Sequence, residues 1–273
     1  MIEVFETCKY CGENIQLVNT KHDLVQCESC ELIFSRKKFS QQEFSEIYDR
    51  LYNDKNPKYK AHSIIEYEQL KKGIVKVGYN RQRLVKKYIR DNSNILEIGS
   101  GIGLMGCFIQ QTFPNSSFTG VEIDKKVNEK ARSFGLNVHQ GDFSIIKDLD
   151  GNFDVILMWE VLEHIQDMEQ CLSLIKRKLK SGGLFIFSVP NYDKRLNYNS
   201  PGDTIFQDGP PIHLNFFKKK AIRKIFDSED FEVVSLEKKK LPYFNFKSFS
   251  SMFLKVLTGK YEGPTLFCVI RKK

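Results

Sequence analysis

Several features are missing from this 273-residue sequence, and each absence narrows the class of protein. No apolar run approaches the roughly 20 residues that a membrane-spanning helix needs. The first ten residues, MIEVFETCKY, lack the basic start and apolar core of a signal peptide. Internal repeats and low-complexity segments are also missing. We therefore expect a cytoplasmic protein whose cysteines are thiols or metal ligands and not disulfides.

Acidic residues are fewer than basic ones: the sequence has 34 Asp and Glu and 42 Lys and Arg, so the formal net charge is +8. The basic residues fall in short runs at 218–220, 238–240 and 271–273, and no long basic tract occurs. A positive charge of this size is compatible with an anionic partner such as nucleic acid, or with a lysine-rich solvated surface. The shortness of the runs favours the solvated surface and makes nucleic acid a less favoured partner.

Four of the seven cysteines lie near the N-terminus, in the pairs CKYC and CESC, fifteen residues apart. This spacing is typical of a zinc site with four thiolate ligands. A segment of about 40 residues also needs such a staple, because it cannot build a full core. We predict a structural zinc ribbon over residues 1–40, with no open position for chemistry. The alternative is four free or redox-active thiols. The predicted ligands are Cys8, Cys11, Cys27 and Cys30.

Predicted strands and helices alternate from residue 94 to Pro190, which indicates a parallel sheet with helices on both faces. Residues 41–90 are polar and aromatic, and we predict a helical linker or lid there. After Pro190 the alternation stops in a long loop at 191–215, and an aromatic stretch follows within 240–263. Loops of this length inside a domain are usually functional, so we expect both insertions on the substrate side.

The stretch NILEIGSGIGLMG, residues 94–106, predicts a buried strand followed by a glycine turn. Glycines let backbone N–H groups approach a ligand closely at the start of a helix. Two ligands fit locally. One is a dinucleotide pyrophosphate, because residues 101–106 satisfy G-x-G-x-x-G. The other is a nucleoside without a phosphate bridge, such as S-adenosylmethionine. Glu122, which ends the second strand and precedes Ile123, suits the ribose hydroxyls of either ligand.

Three further features favour S-adenosylmethionine. Glu97 is an acid where a dinucleotide fingerprint normally has an apolar residue, and it would meet the positively charged methionine end. Asp142 and Phe143 follow the third strand, where an acid can accept a hydrogen bond from the adenine amino group and a ring can stack on the base. The fourth strand ends at Trp159, in the sequence WEVLEH.

The motifs LEIGSGIG, GVEID, GDF, FDVILMWEVLEH and LKSGGLFIFSVPN resemble those of class I S-adenosylmethionine-dependent methyltransferases in order and spacing. The resemblance covers roughly residues 79–240, and EVLEH is similar to the ubiquinone-biosynthesis O-methyltransferases. It implies a Rossmann-like, doubly wound seven-stranded α/β sheet with the last strand antiparallel, within a methyltransferase domain at 91–273. The implied cofactor contacts are Glu97, Gly99, Gly101, Gly103, Glu122, Ile123, Asp142, Phe143 and Trp159.

A methyltransferase preceded by a zinc ribbon also resembles a group found in surface-polysaccharide and deoxysugar pathways. That group has an HLxxF motif after the fifth strand, and this sequence has HLNFF at 213–217. The resemblance implies O-methylation of a sugar or another small molecule. An alternative is an RNA methyltransferase with an N-terminal zinc finger, although those fingers usually include a histidine ligand. A non-catalytic cofactor-binding subunit and an NAD enzyme are further alternatives.

Two histidines are candidates for the general base that a hydroxyl acceptor needs near neutral pH. His164 follows the fourth strand and His213 lies in the loop after the fifth, so both are expected at the edge where open α/β sheets bind ligands. The alternative is a purely structural role, in which either histidine only orients a loop. The corresponding alternatives are that Asp142 is only a helix cap and that Trp159 is only part of the core. We expect Tyr192, Tyr198 and the aromatic residues of 243–253 to line the acceptor pocket.

Overall fold

The computed structural model describes residues 3–44, 46, 65–193, 209–238, 258 and 263–273. These residues form two sheets, one of four strands and one of seven. Tyr198 and the segment 243–253 lie outside the described residues, so the structure does not address the predictions made for them.

The small sheet begins with three antiparallel strands near the N-terminus: β1 (Ile15–Asn19), β2 (Leu24–Cys27) and β3 (Ile33–Ser35). Its fourth strand, β9 (Asn215–Phe216), comes from the HLNFF motif almost 180 residues later. β3 and β9 pair antiparallel, with Ile33 opposite Phe216. The N-terminal segment is therefore hydrogen-bonded to the loop in which we expected the acceptor site.

The large sheet has the strand order β10-β11-β8-β7-β4-β5-β6, and its β4 to β8 strands pair in parallel. β11 runs antiparallel to both of its neighbours. This confirms the predicted Rossmann-like sheet of seven strands with the last strand antiparallel. The strands are β4 (Asn94–Ile98), β5 (Ser117–Glu122), β6 (Asn137–Gln140), β7 (Phe153–Trp159), β8 (Leu179–Pro190), β10 (Phe231–Lys238) and β11 (Thr265–Lys272).

Helices cover the faces of the large sheet. The α-helices that lie wholly within the described residues are α1 (Tyr79–Tyr88), α2 (Leu104–Thr112), α3 (Lys125–Arg132), α4 (Met168–Lys178) and α5 (Lys219–Phe226). Two 3-10 helices span Phe143–Asp148 and Leu162–His164. α3 begins where the Asp124 carboxylate accepts a hydrogen bond from the Val127 N–H at 2.9 Å, as helix-capping aspartates do.

The sequence DMEQCLSLIKRKLKSGG predicts a helix that ends at the glycine pair 182–183, but α4 ends earlier, at Lys178. Leu179 already belongs to β8, where it is buried and pairs with Phe153 of β7. The register shifts next to this pair, and Gly182 has a φ of 75°. Burial of Leu179 against the neighbouring strand thus overrides the helical pattern of the preceding basic residues.

The central strands β4, β7 and β8 are buried on both faces, as their apolar runs indicate. Leu84 and Val85 of α1 pack into the core on one face, so this end of the predicted linker contributes to the main core. Cys171 and Cys268 are fully buried, as expected of core cysteines, and burial raises the pKa of both thiols, whereas Cys107 is only half-buried. Within the described ranges, no helix has the length and hydrophobicity to cross a membrane.

Candidate functional site

The glycine turn connects β4 to α2 along residues 99–103. Gly99, Gly101 and Gly103 all have a positive φ, of 74°, 55° and 83°. A β-carbon at Gly99 would come within 2.5 Å of Val161, and one at Gly103 within 2.1 Å of Leu136. At Gly101 a β-carbon would meet nothing within 4 Å. Gly99 and Gly103 therefore allow close packing, whereas Gly101 borders open space where a ligand can approach the backbone.

Glu122 lies at the end of β5, beside this turn. Its carboxylate accepts hydrogen bonds from the backbone N–H of Gly101 at 2.8 Å and of Asp124 at 2.9 Å. Burial raises the pKa of Glu122, and these two hydrogen bonds act in the opposite direction. Because each carboxylate oxygen has two acceptor sites, both oxygens keep capacity for a ligand hydroxyl. The next side chain, Ile123, is 43% exposed and offers an apolar surface at the same edge.

Glu97 is buried within β4, two residues before Gly99. Burial raises its pKa to about 8, the nearby Glu122 adds to the rise, and the charge of Arg81 opposes it. Among the described residues, no partner lies within hydrogen-bond distance of its Oε2 atom. The Arg81 guanidinium lies 5.4 Å from the centroid of the Trp159 ring. Sequence reasoning missed Arg81, since nothing in the local pattern of α1 distinguishes it from the other basic residues.

The ends of β6 and β7 complete this edge of the sheet. Asp142 is exposed and caps the 3-10 helix, accepting from the Ser144 N–H at 2.8 Å, so the capping role considered above is present. Phe143 is half-buried and packs on the core. Trp159 is buried at the end of β7, and its Nε1 has no hydrogen-bond partner among the described residues. The cofactor contacts of these three residues stay predictions.

The structure brings the two candidate histidines together. The rings of His164 and His213 have centroids 4.9 Å apart and planes inclined by 68°. His164 Nδ1 lies 2.8 Å from the carbonyl oxygen of Ile212. Because a carbonyl only accepts, this nitrogen carries a proton, and in the neutral form of the ring the lone pair is therefore on Nε2. Val161, which precedes the 3-10 helix that ends at His164, packs against Gly99, so the loop that carries His164 begins beside the glycine turn.

Long-range hydrogen bonds fix the two segments that carry these histidines. Asn215 donates from Nδ2 to the carbonyls of Leu162 at 2.8 Å and Ile165 at 2.7 Å. The side chain of Gln166 exchanges two hydrogen bonds with the backbone of Phe39, at 2.8 and 3.1 Å. The N-terminal segment is therefore hydrogen-bonded to the loop that follows β7. The sequence gives no local signal for Asn215 or Gln166, because their partners lie far away in the chain.

A second contact from the N-terminal segment reaches the HLNFF motif itself. The Ser35 N–H donates to the Leu214 carbonyl at 2.9 Å, next to the β3–β9 pairing. Leu214 in turn donates its N–H to the backbone carbonyl of Glu163 at 2.7 Å. These bonds form a continuous connection from the N-terminal sheet to the residue that precedes His164.

The four N-terminal cysteines lie together, as their spacing predicts. Their sulfur atoms are all within 4.8 Å of one another, with Cys8 to Cys30 at 3.7 Å and Cys11 to Cys27 at 3.5 Å. Each pair closes a turn of the same kind, in which the residue after the second cysteine donates to the carbonyl of the first. Hydrogen bonding from Cys30 lowers the pKa of Cys8 to about 5. Four clustered thiols fit a tetrahedral zinc ion.

Residues 70–236 match the model of a family described as a methyltransferase domain. The chain belongs to this methyltransferase family. It is similar to a probable S-adenosylmethionine-dependent methyltransferase of Mycolicibacterium smegmatis, at 25% identity over 142 residues, which are 51% of this chain and 52% of the relative. It is also similar to a ubiquinone biosynthesis O-methyltransferase of Rhizobium etli, at 24% identity over 132 residues, covering 43% and 52%.

The chain spans about half the length of these curated relatives. Its fold is similar to that of coclaurine N-methyltransferase bound to N-methylheliamine and SAH, with a TM-score of 0.53 and 15% sequence identity. The match covers 70% of this chain and 71% of the other. The predicted membership in the methyltransferases is thus confirmed. The predictions of a zinc ribbon and of a role in polysaccharide assembly stay predictions.

Proposed function

We propose that the protein transfers a methyl group from S-adenosylmethionine to an oxygen atom of a small molecule or sugar intermediate of surface-polysaccharide assembly. One observation carries the proposal. The glycine turn with its two acids and the histidine pair share one edge of the sheet, joined where Val161 packs against Gly99. A cofactor in the turn and an acceptor at the histidines would therefore meet.

The residues of the turn fit S-adenosylmethionine, which supplies an electrophilic methyl group on a sulfonium when it is bound. In this arrangement Glu122 binds the ribose hydroxyls with the acceptor sites that its two backbone donors leave open. Glu97 receives the cationic methionine end, which gives its unpartnered Oε2 a counter-charge. Gly101 leaves the space through which the ligand approaches. Ile123 and Phe143 flank the adenine, and Asp142 accepts from its amino group.

We assign activation of the acceptor to the histidine pair. A hydroxyl becomes a good nucleophile only when it loses its proton, and imidazole is the side chain suited to that step near neutral pH. The hydrogen bond from His164 Nδ1 to Ile212 holds that ring in one tautomer and one orientation. His213 is buried against it. The choice of oxygen and of a sugar acceptor follows from the resemblance to the polysaccharide-pathway group and from the O-methyltransferase relative.

The N-terminal cysteines complete the proposal as a structural zinc site formed by Cys8, Cys11, Cys27 and Cys30. All four ligand positions are protein thiolates, so this zinc would stabilise the N-terminal module and take no part in chemistry. We assign the ribbon to residues 1–40, the linker to 41–90 and the methyltransferase domain to 91–273, and we place the protein in the cytoplasm. Through β3 the ribbon would support the acceptor side of the site.

The experiment is a screen of nucleotide-linked sugars and glycan fragments with S-adenosylmethionine, read as methyl gain by mass spectrometry. We expect methylation of an oxygen in at least one candidate, and a lower rate for His213→Ala with unchanged affinity for S-adenosylhomocysteine. The exposed His139 provides the matched control variant. Bulk RNA that competes for activity with a steep salt dependence would contradict the small-molecule acceptor. Full cofactor affinity without turnover of any candidate would contradict catalysis of this kind.

A further inference from the structure

A second cluster of metal-ligating side chains lies at the acceptor side. One ring nitrogen each of His164 and His213 and a carboxylate oxygen of Glu163 all lie within 4.8 Å of one another. We propose that these three residues bind a divalent cation that holds the acceptor oxygen. This inference rests on the proposed methyl transfer, and it adds a metal ion to the acceptor half of the site.

The donor set differs in kind from the four thiols at the N-terminus. Two imidazoles and one carboxylate suit a first-row divalent cation such as zinc, manganese or iron. Three protein ligands leave at least one coordination position open, which is the arrangement of a catalytic metal. The four-cysteine cluster offers no open position. Among the described residues, the four cysteines thus have the composition of a structural metal site. Glu163, His164 and His213 have the composition of a catalytic metal site.

The ligand residues are held in place before any metal arrives. His164 donates from Nδ1 to the Ile212 carbonyl at 2.8 Å, and metal-ligating histidines almost always make such a bond with their other nitrogen. Glu163 is 1% exposed and His213 is 8% exposed, so neither side chain samples solvent freely. The Leu214 N–H bonds the backbone carbonyl of Glu163, which joins the two ligand segments directly.

The distances need only a small adjustment. Metal–ligand bonds of about 2.1 Å place ligand atoms roughly 3 to 4 Å apart, and the three ligand atoms here already lie within 4.8 Å of one another, so side-chain rotations would suffice. The backbone of both segments is already fixed by the two hydrogen bonds of Asn215. Binding would therefore move side chains and leave the fold unchanged.

A cation here would act as a Lewis acid on the acceptor hydroxyl. A coordinated hydroxyl would have a lowered pKa and would release its proton to solvent. Its oxygen then forms a bond to the methyl carbon, the carbon–sulfur bond breaks, and that electron pair stays on sulfur. No oxidant or reductant is needed. In this refinement the two histidines act as metal ligands, and this role replaces the general-base role that the proposed function gives them.

The test titrates Mn²⁺ into the full chain after its four-cysteine site has been saturated with zinc, and measures bound manganese by electron paramagnetic resonance. We expect one Mn²⁺ per chain, because thiolate sites do not favour manganese. Glu163→Gln and His164→Gln should each weaken binding by about tenfold or more. The exposed His139→Ala variant should bind as the unchanged protein does. Variants are compared only if they keep their affinity for S-adenosylhomocysteine, which shows that they are folded.

Methyl transfer is then measured after treatment with a chelator and after Mn²⁺ is restored. Loss and recovery of activity, with the zinc content unchanged, is the expected result. Absence of bound manganese, or equal binding by Glu163→Gln, would overturn the metal site. Metal-independent methyl transfer that still requires His213 would also overturn it, and the proposed function would stand. Absence of both S-adenosylhomocysteine binding and methyl transfer would reject the proposed function itself.

Discussion

The two halves of the candidate site are assembled in different ways. The cofactor half consists of consecutive strand ends between residues 97 and 143, each followed by its own turn or helix. The acceptor half combines three distant parts of the chain: the loop after β7, the HLNFF motif and the N-terminal sheet. Local backbone geometry therefore positions the cofactor residues, whereas long-range hydrogen bonds position the acceptor residues.

This difference predicts that the two halves can be damaged separately. A change in the N-terminal module should reach the histidines through β3 and β9 and leave the glycine turn intact. A change at the strand ends of the cofactor half should weaken the cofactor and leave the histidine pair in place. Variants that change only turnover or only cofactor affinity would show that the two halves are independent, and variants that change both would show that they are coupled.

Removal of the second cysteine knuckle should have the largest effect. In Cys27→Ser combined with Cys30→Ser, the metal site loses two of its four predicted ligands, and β3 loses its support. We expect turnover to fall about 100-fold or more, as it does when the partners that orient reactive groups are lost. Affinity for S-adenosylhomocysteine in calorimetry should stay within about threefold. Cys107→Ser is the matched control, since this half-buried cysteine lies far from the cluster in sequence. Equal losses of turnover and affinity would contradict the separation.

Substitution of Glu122 by Ala should mainly affect the cofactor half. The variant loses a carboxylate that bonds two backbone N–H groups and that we assign to the ribose. A hydrogen bond to a charged group contributes about 1.5–3 kcal/mol, so affinity should fall by about tenfold or more. Calorimetry with S-adenosylhomocysteine measures the change, and His213→Ala should leave that affinity unaltered. Unchanged affinity in Glu122→Ala would exclude the ribose role.

Asn215→Asp should have an intermediate effect on the acceptor half. Aspartate keeps the size of asparagine but loses the N–H₂ group that donates to two carbonyls. Leaving those carbonyls unsatisfied costs about 1–3 kcal/mol, so we expect turnover to fall by about tenfold with the cofactor affinity preserved. Rate measurements at saturating cofactor test this. A variant with full turnover would show that Asn215 does not position the histidine segments.

Glu97→Gln should have the smallest effect on cofactor affinity at neutral pH, but it should clearly change how that affinity depends on pH. Its pKa is raised to about 8, so the free protein is mostly protonated there at pH 7. A cationic methionine end favours the ionised form, so binding should release a proton and affinity should rise with pH up to about 8 and then level off. Calorimetric titration with the cofactor in buffers of different ionisation enthalpy measures the number of protons that binding releases. Glu97→Gln should remove the pH dependence, and a persistent dependence would assign it to another group.

The same difference between local and long-range contacts explains which features of the fold and of the site could be predicted from the sequence. The glycine turn, the acids at the strand ends and the antiparallel last strand were predictable, because each depends on a short stretch of sequence. The pairing of β3 with β9 was not, since Ile33 and Phe216 meet only through tertiary structure. The end of α4 was misplaced because burial of Leu179 in β8 outweighed the helical pattern. The sequence singled out both histidines, but it did not predict that their ring centroids lie 4.9 Å apart or that Glu163 lies beside them.

Calorimetric titration of the zinc-loaded full chain with S-adenosylhomocysteine tests the central claim most directly, since that claim is that the glycine turn holds an adenosyl sulfonium cofactor. The account predicts one molecule bound per chain and no competition from NAD. Failure to bind S-adenosylhomocysteine, or its displacement by NAD, would contradict the account.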